Sequence, residues 1–138
     1  MMAKGDADGG VEDLYRGWFG DSLATHVLRI VGGSVLDNPS PVSMDALVDG
    51  ASSSGAYCLY NMGLSTAGGG AAHMVASCMS HGTFGLGFNR HFYFFDPNMG
   101  EYRIGTDDMQ PFLRGVMDAY ESSFLGVNYF DQFQVERD

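Results

Sequence analysis

The chain is poor in positive charge. Its seven basic residues, with Lys4 the only lysine, stand against 17 acidic ones, and the formal net charge over 138 residues is −10. A field of that sign repels nucleic acid and anionic membrane surfaces, so neither is an expected partner, whereas a neutral or basic protein is compatible with it. Cysteine is scarce as well. Cys58 and Cys78 allow one disulfide at most and supply neither a disulfide scaffold nor the paired spacing of a zinc site. No apolar run reaches the length of a transmembrane helix, and the opening MMAKGDADGG lacks the charged-then-apolar order of a signal peptide. Any export is therefore expected to use another route, and a reducing compartment is the simpler expectation. Also missing are a G-x-S-x-G elbow, an HExxH pair and a Gly-Lys-Ser/Thr phosphate loop.

What the chain does have is core material. Hydrophobic residues make up 45% and aromatic residues 13%, enough for one domain. That domain is expected over residues 11–138, behind a Gly- and Asp-rich, disordered tail at residues 1–10. Val11, Leu14, Tyr15, Trp18, Leu23, Val27, Ile30 and Val31 recur at steps of three to five, predicting an amphipathic helix or a broken pair of helices ended by Gly32 and Gly33. Ser43 is placed to cap a short helix, MDALVD, closed by Gly50. Strands are predicted over residues 56–62, 71–79, 91–96, 101–104 and 128–137, the last read as half-buried from its alternation. GLSTAGGGA reads as a long Gly-rich connection. A helix with Pro111 in its first turn carries the apolar stripe Met109, Phe112, Val116, Tyr120 and Phe124, read as core. The class is α+β.

The chemistry centres on a hairpin with His73 on one strand and Asp96 at the far end of the next. With the turn centred on Phe84 and Gly85, antiparallel pairing sets His73 directly opposite Asp96. A carboxylate beside a histidine holds one tautomer and lets the ring take a proton from a nucleophile. The same contact also serves as an ordinary structural hydrogen bond, and Asp96-Pro97-Asn98 is a good turn in any hairpin, so the pair alone leaves both readings open. Cys58, on the neighbouring predicted strand, is the candidate thiol, although a strand gives it no helix-dipole help and small buried cysteines are ordinary core residues. Cys78 falls on the face opposite His73. A zinc site from His73, His91 and Asp96 lacks a supporting motif, and no metal or cofactor is expected.

GGGAAHMVAS and FYFFDPNMGEYRI, followed by a helix and a strand, resemble the YopT-like cysteine peptidases, the C58 family of bacterial effector and toxin proteases. The resemblance covers about residues 55–136. In that family one strand carries the catalytic histidine in an HAV- or HAI-like context, and an aromatic strand ends in FDPN-x-G with the catalytic aspartate. AHMVA supplies His73 and FFDPNMGEY supplies Asp96. The resemblance implies a papain-like fold, an antiparallel sheet packed against N-terminal helices, with His73 as general base and Asp96 orienting it. It further implies secretion into a host cell by a bacterial secretion system, a host protein as substrate or partner, and no cofactor. The family's nucleophilic cysteine opens a helix well before the histidine, but no cysteine precedes Cys58 here. GGVEDLYRGW, residues 9–18, resembles the segment around that nucleophile, with Glu12 or Asp13 where the thiol belongs.

Three expectations result. One is a cysteine peptidase, amidase or deamidase whose thiol comes from an upstream segment, a partner chain or Cys58. Another is a member that binds a protein without cleaving it. The third, an unrelated α+β binding domain, requires that His73 and Asp96 do not meet.

Overall fold

The structure, a computed structural model, describes residues 28–53 and 55–137. The expected tail, most of the expected first helix, Glu12 and Asp13 lie outside the described residues.

Among the described residues, six strands form one antiparallel sheet: β1 (Leu28–Ser34), β2 (Tyr57–Thr66), β3 (Gly69–Met79), β4 (His91–Asp96), β5 (Gly100–Gly105) and β6 (Gly126–Arg137), in the spatial order β1-β6-β2-β3-β4-β5. A 3-10 turn (Pro41–Met44) leads into helix α1 (Asp45–Ala51), and a second 3-10 turn (Thr106–Asp108) leads into helix α2 (Met109–Ser123). Both helices lie on one face of the sheet. Met44, Leu47 and Ala51 join Met109, Leu113, Val116, Met117 and Tyr120 over Tyr60, Met62, Val75, Phe92, Phe94 and Phe130. These strand residues share a face because side chains alternate along a strand, while the helix residues return every third or fourth position. Phe112 adds its ring edge-on to Phe94, at 5.2 Å between centroids.

Several elements differ from the sequence reading. Leu28–Ser34 is a strand paired with β6 rather than the end of a helix. Gly32 and Gly33 belong to that strand: a Cβ on Gly33 would come within 2.7 Å of the Gln132 carbonyl oxygen, so glycine here permits close approach of two backbones. Ser40, not Ser43, is the cap. Ser43 N–H donates to Ser40 Oγ and Ser40 N–H donates to Ser43 Oγ, a reciprocal box at the start of the 3-10 turn. Gly50 lies inside α1 instead of closing it. GLSTAGGGA is strand on both sides of a tight connection, because Thr66 pairs with Gly69. Finally, β6 has Phe130, Asp131, Gln132 and Phe133 all buried, so both faces are covered and the expected half-buried alternation is lost.

Candidate active site

Positioning of the site starts from the β3–β4 register. Ala76 pairs with Phe95 and Met79 with Phe92, which sets the hairpin centre one residue later than expected and leaves His73 beyond the end of the β4 ladder. A shift of two positions in pairing preserves the face of every side chain. His73 and Asp96 therefore remain on the same face, diagonal rather than directly opposite, and a diagonal neighbour is within reach of a side chain as long as histidine.

They do meet. His73 Nε2 lies 2.7 Å from Asp96 Oδ1, with the histidine side chain 14% exposed and the aspartate wholly buried. The same Oδ1 accepts the Asn98 N–H at 2.8 Å, and Met99 N–H closes the turn on the Asp96 carbonyl at 3.1 Å. The Tyr120 hydroxyl donates to Oδ2. The turn chemistry of Asp96-Pro97-Asn98 and the contact with His73 are thus two uses of one carboxylate. Burial by itself pushes the Asp96 pKa up. The Tyr120 hydroxyl, the Asn98 amide and the His73 ring more than offset it, holding the group below the usual 3.8. Tyr120 is pushed up, by burial first and then by Asp96.

A charged carboxylate only accepts hydrogen bonds, so Asp96 requires the proton on His73 Nε2 and leaves Nδ1 as the basic nitrogen. The Tyr120 ring lies 5.5 Å from the imidazole and restricts its rotation. Beside this pair, Asn98, Met99, Ala119, Tyr120, Ser123 and Phe124 line a cavity of about 200 Å³. A larger one, about 390 Å³ and lined by Tyr57, Leu59, Ala76 and Val135 among others, opens on the opposite sheet face and touches neither His73 nor Asp96.

Tyr120 is the member of this site that the sequence reading missed. It sits in a helical stripe of Met, Phe and Val, and the signal available was its hydroxyl, a polar atom on a buried face that needs a partner.

Cys58 is not brought to His73. It pairs with Ser77, whereas His73 pairs with Met62, four residues further along β2 and so about 13 Å along the strand. Its side chain is 1% exposed, its Sγ is directed at the Gly50 carbonyl at 3.6 Å, and burial raises its pKa to about 11. Cys78 lies five residues along β3 from His73, on the other face. Among the described residues, no thiol adjoins the imidazole. His91 stands at the far end of β4 from Asp96, so the zinc trio of His73, His91 and Asp96 is not assembled. The contact between His73 and Asp96 also removes the expectation of a domain in which these side chains stay apart.

No protein-family model matches the chain, and no curated protein does. The crystal structure of the Pseudomonas avirulence protein AvrPphB is similar to it, with a TM-score of 0.65 at 17% sequence identity. That likeness covers 93% of this chain and 64% of the AvrPphB chain, so the chain spans somewhat less than two thirds of that structure. What the two share is the fold, an α+β papain-like arrangement of one antiparallel sheet with helices packed against it.

Proposed function

We propose that His73 and Asp96 form the base half of a papain-like thiol hydrolase site acting on a protein. The observation that carries this reading is the 2.7 Å contact from His73 Nε2 to a buried carboxylate, which leaves Nδ1 free to take a proton. In this chemistry Nδ1 takes the thiol proton and the sulfur attacks an amide carbonyl. The same nitrogen then returns the proton to the amine as the C–N bond breaks, and water hydrolyses the thioester to restore the thiol. Asp96 holds the ring and balances its positive charge while the proton is on it. Cys58 is unsuited, being a buried thiol with a raised pKa, so the thiol is contributed by a polypeptide segment other than these 138 residues. The YopT-like motifs and the fold shared with an avirulence protein support a bacterial effector delivered into a host cell, with a host protein as target.

General-base action is testable with a thiol supplied from solution. The chain is mixed with a p-nitrophenyl ester and a small alkyl thiol, and thioester formation is followed for the wild type, His73→Ala and Asp96→Asn. The expected result is a thiol-saturable acceleration on the order of 10²-fold that His73→Ala abolishes and Asp96→Asn largely removes. Equal rates in all three proteins would overturn the catalytic reading. They would favour the second one, a protein-binding module that keeps the fold, for which the specific observation is the lack of a thiol beside His73 among the described residues.

A further inference from the structure

We propose that the open edge of β3 from Gly69 to Val75 takes a neutral or basic peptide in extended conformation, which adds to the sheet as a strand beside His73. The proposal holds whether or not the peptide is then cleaved, because it rests on backbone hydrogen bonding and not on the dyad.

β3 pairs with β2 from Gly69 through Cys78 but with β4 only from Ala76 to Met79. Residues 69–75 therefore have a strand on one side and none on the other among the described residues. The ladder stops for a chemical reason. Continuing the register would set Met74 opposite Pro97, which has no N–H to donate, and the chain turns away there through the Asp96–Met99 hydrogen bond.

Alternation identifies which backbone groups are left open. Met79 N–H donates to the Ala56 carbonyl on the β2 side, whereas Ser80 N–H donates to the His91 carbonyl on the β4 side. Successive residues point to opposite neighbours. Gly70, Ala72 and Met74 thus present N–H and C=O at the open edge. Exposed edges in soluble proteins are commonly guarded by a charge, a proline or a bulge. This one reads GGAAHMV, with Gly69 to Ala72 exposed, and carries none of the three. Small side chains there let another backbone approach at strand spacing, about 4.8 Å, which places the added residue facing His73 within about 5 Å of it.

Charge selects the occupant. A second copy of the chain carries the same −10 and is repelled, while a neutral or basic segment is not. The test uses the whole chain, ¹⁵N-labelled, with acetyl-Lys-Val-Lys-Val-Lys-Val-Lys-amide at millimolar concentration and low salt, and reads hydrogen exchange at individual amides. The expected result is fast exchange of the Gly70, Ala72 and Met74 amides in the free protein, slowed at least tenfold by the peptide. Both the fully N-methylated peptide and Ala72→Pro, which removes one edge donor while leaving the β2 ladder intact, should lose the effect. If Ala72→Pro does not fold, the N-methylated peptide decides alone. Equal effects of the two peptides would show mere charge attraction and overturn the proposal. So would no slowing at these amides, or slow exchange that depends on protein concentration without peptide, which would mean a second copy occupies the edge.

Discussion

Asp96 and Cys58 lie on the same face of one sheet, and their surroundings do opposite things to their charged forms. Asp96 is removed from water yet stays ionised, because the Tyr120 hydroxyl, the Asn98 amide and the His73 ring stabilise the carboxylate. Burial raises Cys58 to about 11, outweighing the Tyr60 and Ser77 hydroxyls that favour its thiolate, and the Gly50 carbonyl at 3.6 Å, an acceptor, does nothing for that form. A thiol at that value has about a hundredfold less thiolate at pH 8 than one at the ordinary 9.0, before any steric protection is counted. Native protein treated with iodoacetamide at pH 8 and analysed by peptide mass spectrometry should therefore modify Cys58 at least 100-fold more slowly than protein in urea. His73→Ala should leave that ratio unchanged. Rapid native labelling of Cys58 that disappears with His73→Ala would instead restore it as a nucleophile and remove the need for a second polypeptide.

The hairpin carrying the site depends on β2 and β6 behind it, and Gly63 is where their register is most sensitive. The β2–β6 pairing shifts between Gly63 and Leu64, and a Cβ on Gly63 would lie 2.1 Å from the Tyr129 ring. Gly63→Ala must push that ring aside, and Gly63 pairs with Ala72, the neighbour of His73. Overpacking of this kind costs about 1–3 kcal/mol. The urea midpoint should fall by the corresponding amount with the slope unchanged, whereas an unaltered midpoint would mean that the bulge absorbs the methyl group. Most elements were legible in the sequence because their patterns are local: the aromatic run of β4, the DPN turn, Pro111 at the start of α2. His73 and Asp96 were legible for the same reason, and their relative placement survived a wrong hairpin centre because the error was a whole pleat. What local pattern cannot show is what lies on the far side of an element. The Ile30 and Val31 positions suit the end of a helix until β6 is there to pair with, β6 looks half-buried until its second face is covered, and Tyr120 looks like core until Asp96 lies under its hydroxyl. The open edge of β3 is likewise a property of where β4 ends.

Over the whole molecule, an excess of negative charge sets two effects of pH against each other. The ion pairs of Arg29 with Glu136 and of Arg114 with Asp45 are exposed enough to add little to stability. Like-charge repulsion across a chain of net −10 opposes compactness at neutral pH, and it relaxes as carboxylates begin to protonate. Stability should accordingly rise on mild acidification. Asp96 acts in the other direction: its pKa in the folded state lies below the ordinary 3.8, so the folded state binds that proton less readily than the unfolded chain does. Its contribution is fully present above about pH 4 and is lost as pH falls through the folded-state value. The melting temperature should therefore pass through a maximum on the mildly acidic side of neutrality and fall steeply below about pH 4. Asp96→Asn carries no titrating group at this position; it should melt lower at pH 7 and show a shallower fall below pH 4. Added salt, by screening the repulsion, should raise the melting temperature at pH 7 more than near the maximum. Melting curves from pH 2 to 8 for the two proteins separate the two effects. Parallel acid limbs would mean that Asp96 is held no more firmly ionised in the fold than in the open chain, and would remove the electrostatic basis for its fixing the His73 tautomer.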